Sequence, residues 1–171
     1  FFFVIIFYGG YPTIRARAYL EWNYLEHTKS KRDNYADMVN LYPALSDCSA
    51  FLISLAKHEE AKYNFFREEE LLRQSVSYSS TKELYYALGQ CYERLNNFTA
   101  ALKCYSLIQS AMPGLMKPRY LKVILYYKIG DRNKFIKEAD EALSFNPKKY
   151  NQQVVEMKRD IKRKLESYYN Q

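Results

Sequence analysis

Two histidines, three cysteines and a run of three glutamates are the side chains of this 171-residue chain most suited to chemistry. His58-Glu59-Glu60-Ala61-Lys62 opens like the zinc-binding helix motif HExxH, but lysine stands where zinc needs its second imidazole. His27 and His58 are far apart in sequence and read as polar surface or packing residues. Glu68, Glu69 and Glu70 are consecutive, so a helix turns each by ~100° from the last and they cannot converge on one ion. Cys48, Cys91 and Cys104 form no CxxC pair, have no histidine at zinc spacing and are odd in number. They read as buried packing thiols. There is no GxGxxG, no GxxxxGK[ST] and no GxSxG. The expectation is therefore no catalytic residue, no metal ligand and no cofactor.

What remains is recognition chemistry. The chain holds 18 tyrosines and 10 phenylalanines with a net charge of +7. Tyrosines flanked by Arg and Lys can stack on sugar rings, grip a peptide backbone or meet carboxylates. The charge favours an acidic partner, an anionic membrane or a nucleic acid and selects none of them. No RNA-binding signature accompanies it, so nucleic acid is not the expected partner.

The elements that would carry these side chains are helical. Only 5 glycines and 5 prolines leave little material for a many-turned β fold. Ala16, Tyr19, Leu20, Asn23, Tyr24 and His27 keep a three/four spacing and predict the buried face of an amphipathic helix over 13–28, followed by a polar break from Lys29 to Asp33. A second helix runs from Asn34 to Tyr42 and should stop at Pro43. Ser46-Asp47 offer capping oxygens to a third helix reaching about His58. Its partner, from about Ala61 to Ser75, turns Phe65, Leu72 and Val76 inward and the three glutamates to water. Ser79-Ser80-Thr81 cap the next helix, which turns at Asn96-Asn97 and returns from Phe98 to about Ala111. Another hairpin turns at Gly130-Asp131, and a last helix from about Asn151 to Tyr169 lines up Val154, Met157, Ile161, Leu165 and Tyr168. Lys158, Arg159, Lys162 and Arg163 make its solvated face.

The chain also matches itself at an offset of 34 residues: Tyr92 with Tyr126, Leu95-Asn96 with Ile129-Gly130, and Pro113 with Pro147. That period resembles the tetratricopeptide repeat (TPR), a helix–turn–helix unit that buries its apolar faces by stacking on neighbours. The fold class it implies is all-α, a TPR-like right-handed superhelix of antiparallel helix hairpins with a C-terminal capping helix. Residues 1–10 read as the end of a truncated transmembrane helix, 11–46 as a degenerate hairpin and 47–80 as a degenerate TPR. Residues 81–114 and 115–148 are TPRs, and 149–171 is a basic capping helix. In TPR proteins the first helix of each hairpin lines the concave groove. On that basis Phe51, His58, Tyr86, Gln90, Arg94, Tyr120, Tyr127 and Lys128 are the groove candidates, for a protein or peptide partner with a glycan as a second candidate. Ala101 and Ala142 suit close helix approach, whereas Phe135 takes the place that Ala101 holds one repeat earlier and must pack differently.

The opening residues Phe1-Phe2-Phe3-Val4-Ile5-Ile6-Phe7-Tyr8, followed by Gly9-Gly10-Tyr11-Pro12, add a membrane expectation. Eight apolar residues are too few for a bilayer, which needs roughly 20, but they suit the last two turns of a spanning helix, with Tyr8 and Tyr11 at the interface. A signal remnant or a soluble packing helix are the other readings of the same residues. The order Tyr19-Leu20-Glu21-Trp22, Asn34-Tyr35-Ala36, Leu41-Tyr42-Pro43-Ala44-Leu45, Phe51-Leu52, Glu83-Leu84-Tyr85-Tyr86-Ala87-Leu88-Gly89-Gln90-Cys91-Tyr92-Glu93, Ala111-Met112-Pro113 and Pro118-Arg119-Tyr120-Leu121 resembles the C-terminal TPR tail of bacterial O-antigen ligase/polymerase-family membrane proteins. Gly114-Leu115, where the family tends to have Asn-Arg, and the basic end after Pro147 depart from it. The resemblance implies a non-catalytic tail at the bacterial inner membrane that recruits or orients partners in glycan assembly, the transfer itself belonging to a preceding membrane domain. A membrane-anchored TPR adaptor unrelated to glycans is the alternative, and a soluble nucleic-acid-binding repeat the third.

Overall fold

A computed structural model describes the backbone of residues 2–27 and 34–169, with side chains from Thr13 onward. Among the described residues there are nine helices and no strand: α1 (Phe2–His27), α2 (Tyr35–Leu45), α3 (Ser49–Ala61), α4 (Phe65–Val76), α5 (Lys82–Arg94), α6 (Phe98–Ala111), α7 (Met116–Ile129), α8 (Arg132–Ser144) and α9 (Gln152–Tyr169). They fall into two compact units, Phe1–Ser80 and Thr81–Gln171. The polar break expected at Lys29–Asp33 lies outside the described residues.

In the first unit α1 is one uninterrupted helix through Gly9, Gly10 and Pro12. Its buried side is the opposite of the expected one. Ala18 is buried and Arg15, Trp22 and Leu25 are half-buried. Leu20 and Tyr24, from the expected inner face, are 69% and 67% exposed. Both faces carry a three/four apolar spacing, so the partner surface decides between them. Trp22 meets Phe51 edge-on at 5.8 Å, and Arg15 donates to the Asp47 carboxylate at 2.6 Å. Asp47 is thereby used between helices rather than as a cap for α3, whose capping position is Cys48 with no side-chain bond. The helix α2 does not stop at Tyr42 but passes through Pro43 to Leu45. The proline falls in the last turn, and the carbonyl it deprives belongs to Val39, an exposed residue whose carbonyl water can serve.

The α3–α4 hairpin corrects the glutamate reading. Glu70 does face water, pairing with Arg67, but Glu69 is half-buried beside Arg73 and Glu68 is buried beside Leu71, Leu72 and Ser75. Phe65 and Val76 are only half-buried. Glu59 is also buried, and its two oxygens accept from Tyr35 Oη at 2.8 Å and Asn64 Nδ2 at 2.9 Å. A buried carboxylate needs such donors. The return helix starts at Phe65 rather than near Ala61, because Lys62, Tyr63 and Asn64 make the turn.

That turn is repeated. Tyr63, Asn96 and Gly130 all have positive φ (59°, 56° and 79°). The residue after each donates its backbone N–H five residues back: Asn64 to Glu59, Asn97 to Tyr92 and Asp131 to Tyr126. This is the Schellman closure of a helix end. In the second unit the same residues then cap the next helix, Asn97 accepting from the Ala100 N–H and Asp131 from the Lys134 N–H. Thr81 and Asn151 cap α5 and α9 in the same manner.

The two hairpins of the second unit solve one packing problem in two ways. In α5–α6, Gly89 lies against the fully buried ring of Tyr105, whose hydroxyl donates to Glu93 at 2.6 Å. In α7–α8 the positions 34 residues on are Val123 and Ala139, both fully buried, so the small and large partners have changed sides. Phe135 fills its layer from α8 and is covered by Tyr127 at 5.2 Å and Tyr168 of α9 at 5.5 Å. Val154, Ile161 and Leu165 of α9 complete this core. Lys158 does not join the solvated face of α9. Its ammonium donates to the carbonyls of Leu143 (2.8 Å) and Phe145 (2.7 Å), closing the end of α8.

Candidate functional site

Within the second unit the first helices of the hairpins, α5 and α7, are linked by side chains, and α7 packs on α9. The 34-residue period places equivalent positions on α5 and α7, and each reaches the following first helix or α9 through a polar or cation–ring contact, though the chemistry of the contact changes from repeat to repeat. Tyr86 of α5 lies under Lys117 of α7, the ammonium 4.6 Å from the ring centre, and Glu93 takes Lys128 at 3.4 Å. One repeat later Tyr120 donates its hydroxyl to Asp160 of α9 at 3.0 Å, and Tyr127 lies 4.7 Å beneath Lys164. Between these bridges Gln90 is exposed, and Ile124, its equivalent one repeat on, is half-buried. Two bridges therefore frame a centre on each first helix, exposed on α5 and half-buried on α7.

The electrostatics of this row are positive. Lys117, Lys128, Lys164 and Arg94 stand on it against the carboxylates Glu83, Glu93 and Asp160, with Lys128 paired to Glu93 and Lys164 to Asp160. Burial raises the Asp160 pKa, but hydrogen bonds from Arg163 and Tyr120 outweigh it and hold the carboxyl below its ordinary range. Burial, then the charge of Glu83, pushes the Tyr86 hydroxyl up to about 12. Burial and the bond to Asp160 push Tyr120 up to about 12. Both phenols thus stay protonated at neutral pH and act as hydrogen-bonding groups rather than as bases.

The groove candidates separate accordingly. Tyr86, Gln90, Arg94, Tyr120, Tyr127 and Lys128 all lie on α5 and α7. Tyr120 and Tyr127 spend much of their surface on α9, so they are as much packing as groove. Phe51 is fully buried against Trp22 and cannot line a groove, which corrects its placement among the binding residues. Phe51 lies on α3, ahead of α4 in its hairpin, but the surface it faces is covered by α1. His58 sits half-buried in a small cleft of the first unit with Leu25, Glu26, Asn34 and Met38. His27 donates through Nδ1 to the Asn23 carbonyl of its own helix at 2.8 Å. Sequence reasoning missed Ile124, Glu93, Lys117 and Lys164. For Ile124 the signal was present, since adding the period to Gln90 lands on it. For Lys164 it was not, because nothing in a basic helix says which lysine crosses to a neighbour.

Comparison with known proteins supports the architecture. No protein-family model matches the chain, and no curated protein matches it by sequence. Two solved structures are similar in fold. The crystal structure of MamA aligns with a TM-score of 0.57 at 16% identity, covering 80% of this chain and 90% of that one. A chain of the CopN–Scc3 complex aligns with a TM-score of 0.60 at 13% identity, covering 85% and 95%. Both are TPR-type helical repeat folds, and the chain shares that all-α architecture. No helix among the described residues is long and apolar enough to cross a membrane.

Proposed function

We propose that the chain is a non-catalytic protein-interaction module whose α5–α7–α9 row receives an extended partner segment carrying carboxylates. The observation that carries this is the repeated framing of a centre, exposed at Gln90 and half-buried at Ile124, on a row whose cations Arg94, Lys117, Lys128 and Lys164 outnumber its carboxylates Glu83, Glu93 and Asp160. An extended segment laid across the row meets one such centre per repeat, with cations on either side to set its register. That one of the similar structures is the CopN–Scc3 complex fits a protein partner. The test is site-specific photo-cross-linking in the native cell. A cross-linker at Gln90 is expected to trap a discrete partner, lost on Arg94→Glu/Lys128→Glu with helicity intact. A cross-linker at Leu107, exposed on α6, is expected to trap none. Equal capture from both positions would sink the reading.

The finer reading assigns this module to a bacterial O-antigen ligase/polymerase-family protein at the inner membrane, with an assembly enzyme or a glycan acceptor as the occupant. Its support is the order of motifs from Tyr19 to Leu121 and the apolar opening residues Phe1 to Tyr8. The gene settles it: a polytopic membrane domain encoded upstream of Phe1 is expected, and a single span or none would leave the adaptor reading instead.

A further inference from the structure

The second unit has a recessed surface apart from the α5–α7–α9 row. A cleft of about 540 Å³ opens where the loops that end the two repeats, at Pro113 and Pro147, run into α7 and α9. That volume is in the range of small-ligand and side-chain pockets, about 300–1,000 Å³. Its floor is apolar, built by Met112, Leu115, Met116, Val154 and Met157. Its rim is cationic: Lys117, Lys148 and Lys149 line it and no Asp or Glu does. Among the described residues none of these lysines has a carboxylate partner, and Lys117 rests on the Tyr86 ring.

The walls are fixed from behind. Lys158 ties down the end of α8, and Arg119 stacks on Phe145 at 4.2 Å while reaching the Pro113 carbonyl at 3.5 Å. Asn151 caps α9 through the Val154 N–H. At α7, by contrast, the capping position is Leu115, which offers no side-chain oxygen, so the positive end of that helix faces the cleft without a cap.

We infer that this cleft is a second recognition site, for a peptide segment in which one bulky apolar side chain is flanked by carboxylates. The soft, adaptable methionines accept the apolar side chain, and the three lysines with the uncapped helix end meet the carboxylates. A site of one sign with an apolar centre excludes a basic or wholly polar segment. The inference goes beyond the row of first helices and shares with it only Lys117.

The test is selection of random displayed hexapeptides on the full chain. Sequences pairing Leu, Phe or Trp with Asp or Glu should be enriched, and synthetic copies should shift the methyl signals of Met112, Met116 and Met157. Lys148→Glu/Lys149→Glu, two exposed positions, is expected to weaken them by roughly tenfold or more with helicity unchanged. Met112→Glu should weaken them as well. Enriched peptides without that pairing, or affinity retained in both variants, would overturn the inference. So would sodium dodecanoate shifting the same methyls where no peptide is enriched, which assigns a fatty-acid anion. Self-association abolished by Lys148→Glu/Lys149→Glu assigns a second copy and also overturns it. Cross-linking from Gln90 reads the other surface separately, so either site can fail alone.

Discussion

At Gly89 a single methyl group decides how two helices meet. A Cβ there would lie 2.5 Å from Tyr105 Cε1 and 2.9 Å from Cζ. Alanine gains about 1 kcal/mol of helix propensity over glycine, but overpacking costs about 1–3 kcal/mol when the neighbour cannot yield. The Tyr105 ring is fully buried and its hydroxyl is held by Glu93, so overpacking wins. Gly89→Ala is expected to destabilise by up to about 2 kcal/mol in urea titration, the overpacking cost less the propensity gain, and a stability raised by the full propensity gain would show that the ring has room. Gly89→Val combined with Tyr105→Ala imports the arrangement of Val123 and Ala139, and should be more stable than Gly89→Val alone. Tyr105 also sets an alkaline limit. Burial first, then the bond to Glu93, pushes its ionisation far above the ordinary range, and Tyr86 and Tyr120 are raised to about 12. Above the ordinary tyrosine value, near pH 10, the unfolded chain releases protons that the folded chain keeps. Stability is therefore complete below about pH 10 and falls as pH rises, by about 1.4 kcal/mol per pH unit for Tyr105, the two half-exposed tyrosines adding less. Urea midpoints that stay level from pH 9 to about pH 11 would refute this.

At the scale of elements the three hairpins share one turn but not one residue in it. Asn96 and Gly130 suit a left-handed φ, and the sequence marks both turns. Tyr63 does not suit it, which is why the turn between α3 and α4 is invisible in the sequence and α4 begins later than the sequence predicts. A left-handed φ on a side chain of this kind costs roughly 1–2 kcal/mol. Tyr63 is 81% exposed, with an edge contact to Phe65 at 6.1 Å. Tyr63→Asn is accordingly expected to stabilise by up to about 1 kcal/mol, read as a higher Tm, and a lower Tm would mean that the ring contact outweighs the backbone. The other differences between sequence pattern and structure have a common origin. The sequence does not single out the inner face of α1, because Ala18, Trp22 and Leu25 keep the same periodicity as Ala16, Leu20 and Tyr24. Charge predicts an outward Glu68, whereas its position in the helical pattern places it with the buried residues of α4. Both were decided by the partner surface, which periodicity does not contain. The candidate row was partly legible for the opposite reason: it obeys the 34-residue period, so Tyr86, Gln90 and Arg94 point to Tyr120, Ile124 and Lys128.

At the scale of the molecule, the second unit carries what a repeat protein needs to stand alone. Its core is continuous in kind: Ala101, Tyr105, Ile108 and Leu125 form one cluster, and Val123, Phe135, Ala139 and Ala142 with α9 form the other. A TPR cannot bury its apolar face by itself, and an array of fewer than about three repeats needs a cap. Here α9 is that cap, and its charged face was legible while its role in closing α8 through Lys158 was not. A fragment of residues 81–171 is therefore expected to fold with cooperative thermal unfolding followed by circular dichroism. A fragment of residues 81–147 lacks Val154, Ile161 and Leu165, and each buried aliphatic side chain is worth about 1.5–3 kcal/mol. Their combined loss is comparable with the whole stability of a small domain, about 5–15 kcal/mol. That fragment should melt broadly or aggregate, since Val123 and Phe135 lose their cover. A shortened fragment that still unfolds in one sharp transition would show that the two repeats suffice without α9, and that this helix serves recognition more than stability.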